Sequence, residues 1–139
     1  MIDNNCAYCV EGDLVAKFGI KICELETSKV YLFKEQSHPG RCIVAHKKHV
    51  GDMNELTAEE RAAYFEDVAR VARAIMKAFN PDKVNYGAYG DTGHHLHFHL
   101  CPKYKDEFEW GGVFLMNPDK KYLSDEEYAD MIAKIKANL

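Results

Sequence analysis

No stretch of this chain approaches the ~18 consecutive apolar residues that a membrane-spanning helix needs, so the reading leaves out a membrane partner. A basic excess is also missing. Eighteen lysines and arginines stand against 22 aspartates and glutamates, a net charge of −4, and no global positive field points to a nucleic acid polymer. There are four prolines and nine glycines, with no low-complexity tract and no internal repeat, which argues against a repeat architecture. The start, Met1-Ile2-Asp3-Asn4-Asn5, has neither the charge nor the apolar core of a secretion signal. Five cysteines, an odd number without such a signal, are therefore expected as thiols or metal ligands in a reducing cytoplasm. What is present suits one globular domain over residues 1–139, 47% hydrophobic and 29% charged, long enough to bury a single core.

Four of the seven histidines fall in one stretch, Gly93-His94-His95-Leu96-His97-Phe98-His99-Leu100-Cys101. His95, His97 and His99 alternate with Leu96, Phe98 and Leu100, the period of a strand, whose successive side chains point to opposite faces. The three imidazoles are expected to project together while the apolar residues enter a core, with Gly93 and Pro102 as start and stop. On a helix these positions would be splayed around the axis. An imidazole can be a nucleophile, an acid or a metal ligand near neutral pH, so this face suits either catalysis or a three-histidine metal site.

Cys6-Ala7-Tyr8-Cys9 can be half of a zinc site, a redox pair or neither; with Glu11-Gly12-Asp13 behind it, it looks like a knuckle in a loop that lacks two further ligands. Cys23 and Cys42 sit in apolar runs and read as small core residues. Strands are expected at residues 20–26, 29–34, 41–46 and 84–89, before the histidine strand. His46, Lys47 and Lys48 taken singly read as a solvated turn. Thr57 to Glu60 forms a capping box that opens a helix running to about Asn80, stopped by Pro81. Its apolar stripe is expected at Phe65, Val68, Ala69, Ala72, Ile75, Met76 and Phe79, with Arg61, Glu66, Asp67, Arg70, Arg73 and Lys77 on the wet side. Ser124 caps a last helix, residues 125–138, acidic at its start and basic at its end. The class is α+β with a mainly antiparallel sheet.

His95-Leu96-His97-Phe98-His99-Leu100-Cys101 resembles the signature of the histidine triad (HIT) superfamily of nucleotide hydrolases and transferases. Ile43-Val44-Ala45-His46-Lys47-Lys48-His49 resembles the family's strand ending in Lys-x-His, and residues 85–92 resemble the segment leading to the triad. Cys6 and Cys9 resemble the N-terminal pair of its zinc-binding bacterial members. The resemblance covers roughly residues 6 to 105. It implies an antiparallel sheet of about five strands with the long helix on one side, and a homodimer whose sheets join at an edge.

The resemblance also implies a mechanism, in which His97 attacks the α-phosphorus of a nucleotide and forms a nucleotidyl-histidine that water cleaves. His99 would hold the α-phosphate or orient His97, Thr92 would contact phosphate or leaving group, and Asn85 would make another polar contact. A structural zinc would be held by Cys6, Cys9, His49 and His95, a closed tetrahedral set that leaves His97 and His99 free. Two departures stand out. Phe33 falls where many members carry an acidic residue or Asn for the ribose, with Glu35 and Gln36 nearby, and Arg41 replaces a His after Gly40. Arg41 is then either a phosphate-binding cation or half of an ion pair, and with Lys47, Lys48, Lys103 and Lys105 could form a cationic rim. The expected substrate is a nucleoside phosphate, with a purine base favoured, either a dinucleoside polyphosphate or a phosphoramidate. A nucleotidyltransferase or phosphorylase, or a non-catalytic nucleotide-binding module, is the alternative. Trp110 either lines the leaving-group side or packs at a dimer seam.

Overall fold

Short runs rich in β-branched, aromatic and other apolar residues build five strands: β1 Gly19–Glu24, β2 Ser28–Phe33, β3 Cys42–His46, β4 Lys83–Gly87 and β5 His97–Lys103. The computed structural model describes residues 3–139, so Met1 and Ile2, the first two residues of the stretch read above for a leader, lie outside the described residues. The strands form one sheet in the order β1-β2-β3-β5-β4, and every neighbouring pair is antiparallel. Two short helices, α1 Ala7–Val10 and α2 Asp13–Ala16, precede the sheet; α3 Ala58–Phe79 is inserted between β3 and β4, and α4 Asp125–Ala137 closes the chain. This is the expected α+β architecture. No helix among the described residues is long and apolar enough to cross a membrane.

The sheet has two unlike faces. Val30, Leu32, Val44, Phe98 and Leu100 point toward α3 and meet Tyr64, Val68, Val71 and Ile75, with Tyr128 and Ile135 of α4 joining the same core. Each such fully buried side chain contributes about 1.5–3 kcal/mol of transfer free energy. On the opposite face Tyr31, Phe33, Ile43 and Ala45 pack against Tyr8 and Val15 of the N-terminal helices. The register places Ala45 opposite His97 and Ile43 opposite His99, so both histidines belong to this second face.

The expected capping box of Thr57 with Glu60 forms, Ser124 caps its helix through a further box with Glu127, and Asn80 ends α3 in the left-handed conformation before Pro81. The buried stripe of α3, however, is rotated from the expected one. It runs through Tyr64, Asp67, Val68, Val71, Ala72, Ala74 and Ile75, while Phe65 and Met76 are 39% and 41% exposed. Asp67 leaves the wet side because its Oδ2 accepts from the Thr27 amide, the Thr27 hydroxyl and the Ser28 hydroxyl at 2.8–2.9 Å, tying α3 to the β1–β2 turn. His46 is likewise not in a solvated turn: it ends β3 buried against Tyr64, and only Lys47 and Lys48 are exposed.

The histidine strand is shifted as well. The β5 ladder starts at His97 and runs through Pro102 to Lys103. Beyond the Cys42–Leu100 pair β5 has β4 as its sheet neighbour and no longer β3, so the missing proline amide breaks no bond on the vacated side.

Candidate active site and metal centre

A cavity of about 830 Å³ opens on the second face of the sheet. His95, His97 and His99 all line it, so the shared aspect expected of them holds although His95 precedes the strand proper. Tyr8, Phe18, Phe33, Ile43 and Phe114 give it apolar walls, and Asp3, Asn5, Asp91, Thr92 and Asn117 polar ones.

The two ends of the histidine run are wired differently. His95 Nε2–H donates to the His46 carbonyl at 2.7 Å, which turns its Nδ1 lone pair outward. That nitrogen lies 3.3 Å from Cys6 Sγ, 3.6 Å from Cys9 Sγ and 3.2 Å from His49 Nδ1. The donor atoms of Cys6, Cys9, His49 and His95 all lie within 4.8 Å of one another. A tetrahedral ion with bonds of about 2.0–2.3 Å has ligand-to-ligand edges of about 3.3–3.8 Å, so this set could hold a metal ion with little adjustment. The carbonyl behind His95 is the kind of outer partner that fixes the tautomer of a ligating imidazole. Burial and the neighbouring imidazoles hold His95 well below the usual range, at about 4, and burial pushes the Cys6 thiol up.

His97 Nδ1–H donates to the His95 carbonyl at 2.6 Å. Its Nε2 is therefore the unprotonated nitrogen. Burial holds the ring below the ordinary imidazole range, against the opposing pull of that carbonyl. Tyr8, carried between the two cysteines, lies with its ring centroid 5.0 Å from that of His97 and 5.4 Å from that of His95. At the far end His99 contacts Phe33 edge-on, and Arg41 Nη2 approaches its Nδ1 at 3.1 Å. Burial, reinforced by the Arg41 charge, pushes His99 down to about 2. Both imidazoles are neutral at pH 7.

Other residues proposed from sequence fall elsewhere. Thr92 lines the cavity, but Asn85 does not; it sits on edge strand β4 opposite Cys101. Glu35 is buried with its oxygens committed to Ser37 and to the backbone amides of Lys120 and Lys121, and is not among the cavity walls. The expected cationic rim is absent among the described residues: no lysine or arginine lines the cavity. Arg41 and Lys103 are buried instead, and Lys48 pairs with Glu60 on the surface. Arg41 also makes no ion pair among the described residues. Its charge is met by the Leu115 and Met116 carbonyls and by the rings of Phe33 and Phe114, 4.2 and 4.9 Å from the guanidinium carbon. Trp110 is half-exposed and outside the cavity, whereas Val113, Phe114, Met116 and Asn117 just beyond it form a wall. Tyr8, Phe18, Asp3, Asn5, Val113, Phe114, Met116 and Asn117 are among the lining residues that sequence reasoning missed. Tyr8 alone carried a signal, lying inside the Cys-x-x-Cys loop.

The family model "HIT domain" matches residues 19–106. The chain is 30% identical over 122 residues to the protein named Protein hit of Bacillus subtilis, covering 83% of this chain and 82% of that one. It is 28% identical over 116 residues to the adenosine 5'-monophosphoramidase hnt1 of Schizosaccharomyces pombe, covering 77% and 80%. Among solved structures, a histidine triad protein from Sinorhizobium meliloti superposes with a TM-score of 0.84 at 24% identity, covering 92% of this chain and 95% of that one. A Zn-bound histidine triad family protein from Mycobacterium smegmatis does so with a TM-score of 0.68 at 22% identity, covering 95% and 94%.

Proposed function

Because this chain belongs to the HIT domain family, whose named relatives support a nucleotide hydrolase at family level, we propose that it cleaves a nucleoside phosphoramidate or dinucleoside polyphosphate at the α-phosphate through a covalent adduct on His97. The observation that carries this reading is the His97 hydrogen bond. With the Nδ1 proton held by the His95 carbonyl, the Nε2 lone pair of a neutral, buried imidazole is the reactive one. Nε2 forms a bond to the α-phosphorus as the bond to the leaving amine or phosphate breaks; the leaving group takes up a proton from bulk water, and the water that attacks in the second step gives one back. Water then displaces His97 from phosphorus, releasing the nucleoside monophosphate and restoring the neutral ring.

His99 contacts a non-bridging α-oxygen from the neighbouring position on β5, and Thr92 lies toward the leaving group. Phe18, Phe33 and Ile43 give the cavity an apolar end suited to a base, a purine by size, while Asn5 and Asn117 offer the polar contacts that Glu35 and Asn85 are not placed to make. Zinc is the metal that the Cys2His2 donor set favours. Bound there it would be structural, with all four positions filled by protein. Thiol ligands must stay reduced to bind it, which agrees with a cytoplasmic setting. We also read the protein as a homodimer, since β4 forms a sheet edge with Tyr86 52% exposed on it. Sedimentation at micromolar concentration tests that.

The catalytic test is turnover of an adenosine phosphoramidate followed by intact-protein mass spectrometry. Wild type is expected to turn over and to yield a trappable adenylyl adduct; His97→Ala and His97→Gly are expected to lose both while staying folded. Wild type that neither turns over nor binds any of several nucleotides would overturn the reading.

A further inference from the structure

Arg41 is fully buried, yet among the described residues no carboxylate pairs with it and it does not line the cavity. Its position is set by the loop before it. Gly40 has φ +96 and lies against the Phe79 ring, so a side chain there would be strained, and Gln36 Oε1 accepts from the Gly40 amide at 2.8 Å. From this anchored start the guanidinium runs between Phe33 and Phe114. Nη1 donates to the Leu115 carbonyl at 3.1 Å; Nη2 donates to the Met116 carbonyl at 2.8 Å and to His99 Nδ1 at 3.1 Å.

One chemical fact decides what this arrangement does. A guanidinium has donors and no acceptor, and it does not lose its proton in a protein. Its partner nitrogen on His99 must therefore be the bare one. The proton of the neutral ring is then on Nε2, at the opposite side of the imidazole from Arg41. The same side chain holds the 114–116 backbone, whose Phe114 forms a wall of the cavity against His99.

We propose that Arg41 is a positioning residue: it fixes His99 as the Nε2–H tautomer and ties that choice to the seating of the Phe114–Met116 segment over the cavity. The inference rests on the proposed function for its consequence, since an Nε2–H is the donor that a phosphoryl oxygen needs, and a bare Nε2 would repel it. It accounts for a buried cation that, among the described residues, neither lines the cavity nor makes an ion pair. Phosphate is met by an uncharged donor, and the charge stands one ring behind it.

The test reads the resting protein before any substrate is added. Long-range proton–nitrogen NMR of the metal-loaded full chain, with His99 assigned by its loss in His99→Gln, is expected to give a bare Nδ1 and a protonated Nε2. In Arg41→Met, which keeps an apolar stem and removes every donor, the His99 signals should move toward a mixture of tautomers. kcat on the adenosine phosphoramidate should fall about tenfold to a hundredfold with KM changed less than about threefold. Arg41→His, which restores a single donor, should recover the tautomer and part of kcat.

Should Arg41→Met fail to fold, Phe114→Ala tests the link to the segment: with Arg41 present but its seat loosened, the same mixture should appear. A merely structural role would lower the melting temperature and leave tautomer and kcat per folded molecule unchanged. That result, or a wild-type His99 protonated on Nδ1, overturns the proposal. Absence of turnover in wild type would count against the hydrolase reading alone, because the tautomer is measured without it.

Discussion

His95 and His99 are the same side chain, four residues apart on one face, and their surroundings have opposite electrical character. At the His95 end two thiols and a second imidazole converge on an outward lone pair, an arrangement that could hold a metal ion. At the His99 end a permanent cation already occupies the ring's outer nitrogen. His97 stands between them, joined to one neighbour by a carbonyl bond and separated from the other by 5.4 Å between ring centroids. A strand that looks like a repeat in sequence is thus divided by what abuts each ring. The Nδ1 lone pair faces two thiols and an imidazole at one end and is taken by Arg41 at the other.

The largest effect that sharpens this contrast is at its midpoint. His97→Ala should lower turnover by at least about a thousandfold and shift the melting temperature by only a few degrees, as measured by steady-state kinetics and calorimetry. At the His95 end the balance should reverse. Cys9→Ser, or a chelator on wild type, should cost about 3 kcal/mol, the stabilisation given by an ion at some hundred times its dissociation constant. The ion content should fall below one per chain by elemental analysis. A Cys9→Ser protein of unchanged stability that still held its ion would remove the distinction between the ends.

Acid should act on the His99 end. His99 is held near 2 when folded and titrates near the ordinary value of about 6.5 when unfolded, so the unfolded chain binds the extra proton in between. Its contribution is full above about pH 6.5 and is lost progressively as pH falls below that. Urea melts should show about 2 kcal/mol lost from this group between pH 7 and pH 5, and His99→Gln should remove that part of the slope. The smallest effect concerns the one ring that touches both His95 and His97. Tyr8→Leu forfeits its aromatic contacts, worth about 1 kcal/mol, and should reduce kcat by at most about tenfold. A much larger loss would mean that the two ends are not separable.

Much of this was legible in the sequence, and the reasons differ by region. The capping box at Thr57, the Ser124 cap, the apolar runs of β2 and β3 and the alternation in β5 are local patterns, and they formed as local physics dictates. The grouping of Cys6, Cys9, His49 and His95 was legible through the family resemblance, which joins the Cys-x-x-Cys loop to the Lys-x-His element and the first histidine of the run. Asp67 was misplaced because a helical wheel assigns a carboxylate to water, and three donors from a turn 40 residues earlier outweighed that rule. Phe65 and Met76 were misplaced with it, since the stripe turned to bring Tyr64 and Val71 inward. Arg41 was open between two roles and took neither, because its partners are carbonyls 74 and 75 residues away in a segment with no periodicity. A backbone acceptor leaves no mark on the amino-acid sequence.

That last point has a consequence for how such a site can change. The stretch from Glu109 to Lys121 is gripped mainly through its main chain: Lys103 donates to the carbonyls of Glu109 and Gly112, Arg41 to those of Leu115 and Met116, and Glu35 accepts from the amides of Lys120 and Lys121. Main-chain groups are common to all residues, so the grip is indifferent to most of what the stretch spells. Val113, Met116 and Asn117 are free to be exchanged while the clamp that presents them to the cavity persists. The molecule is built like a socket with a replaceable insert, and new selectivity can be written there without rewriting the scaffold.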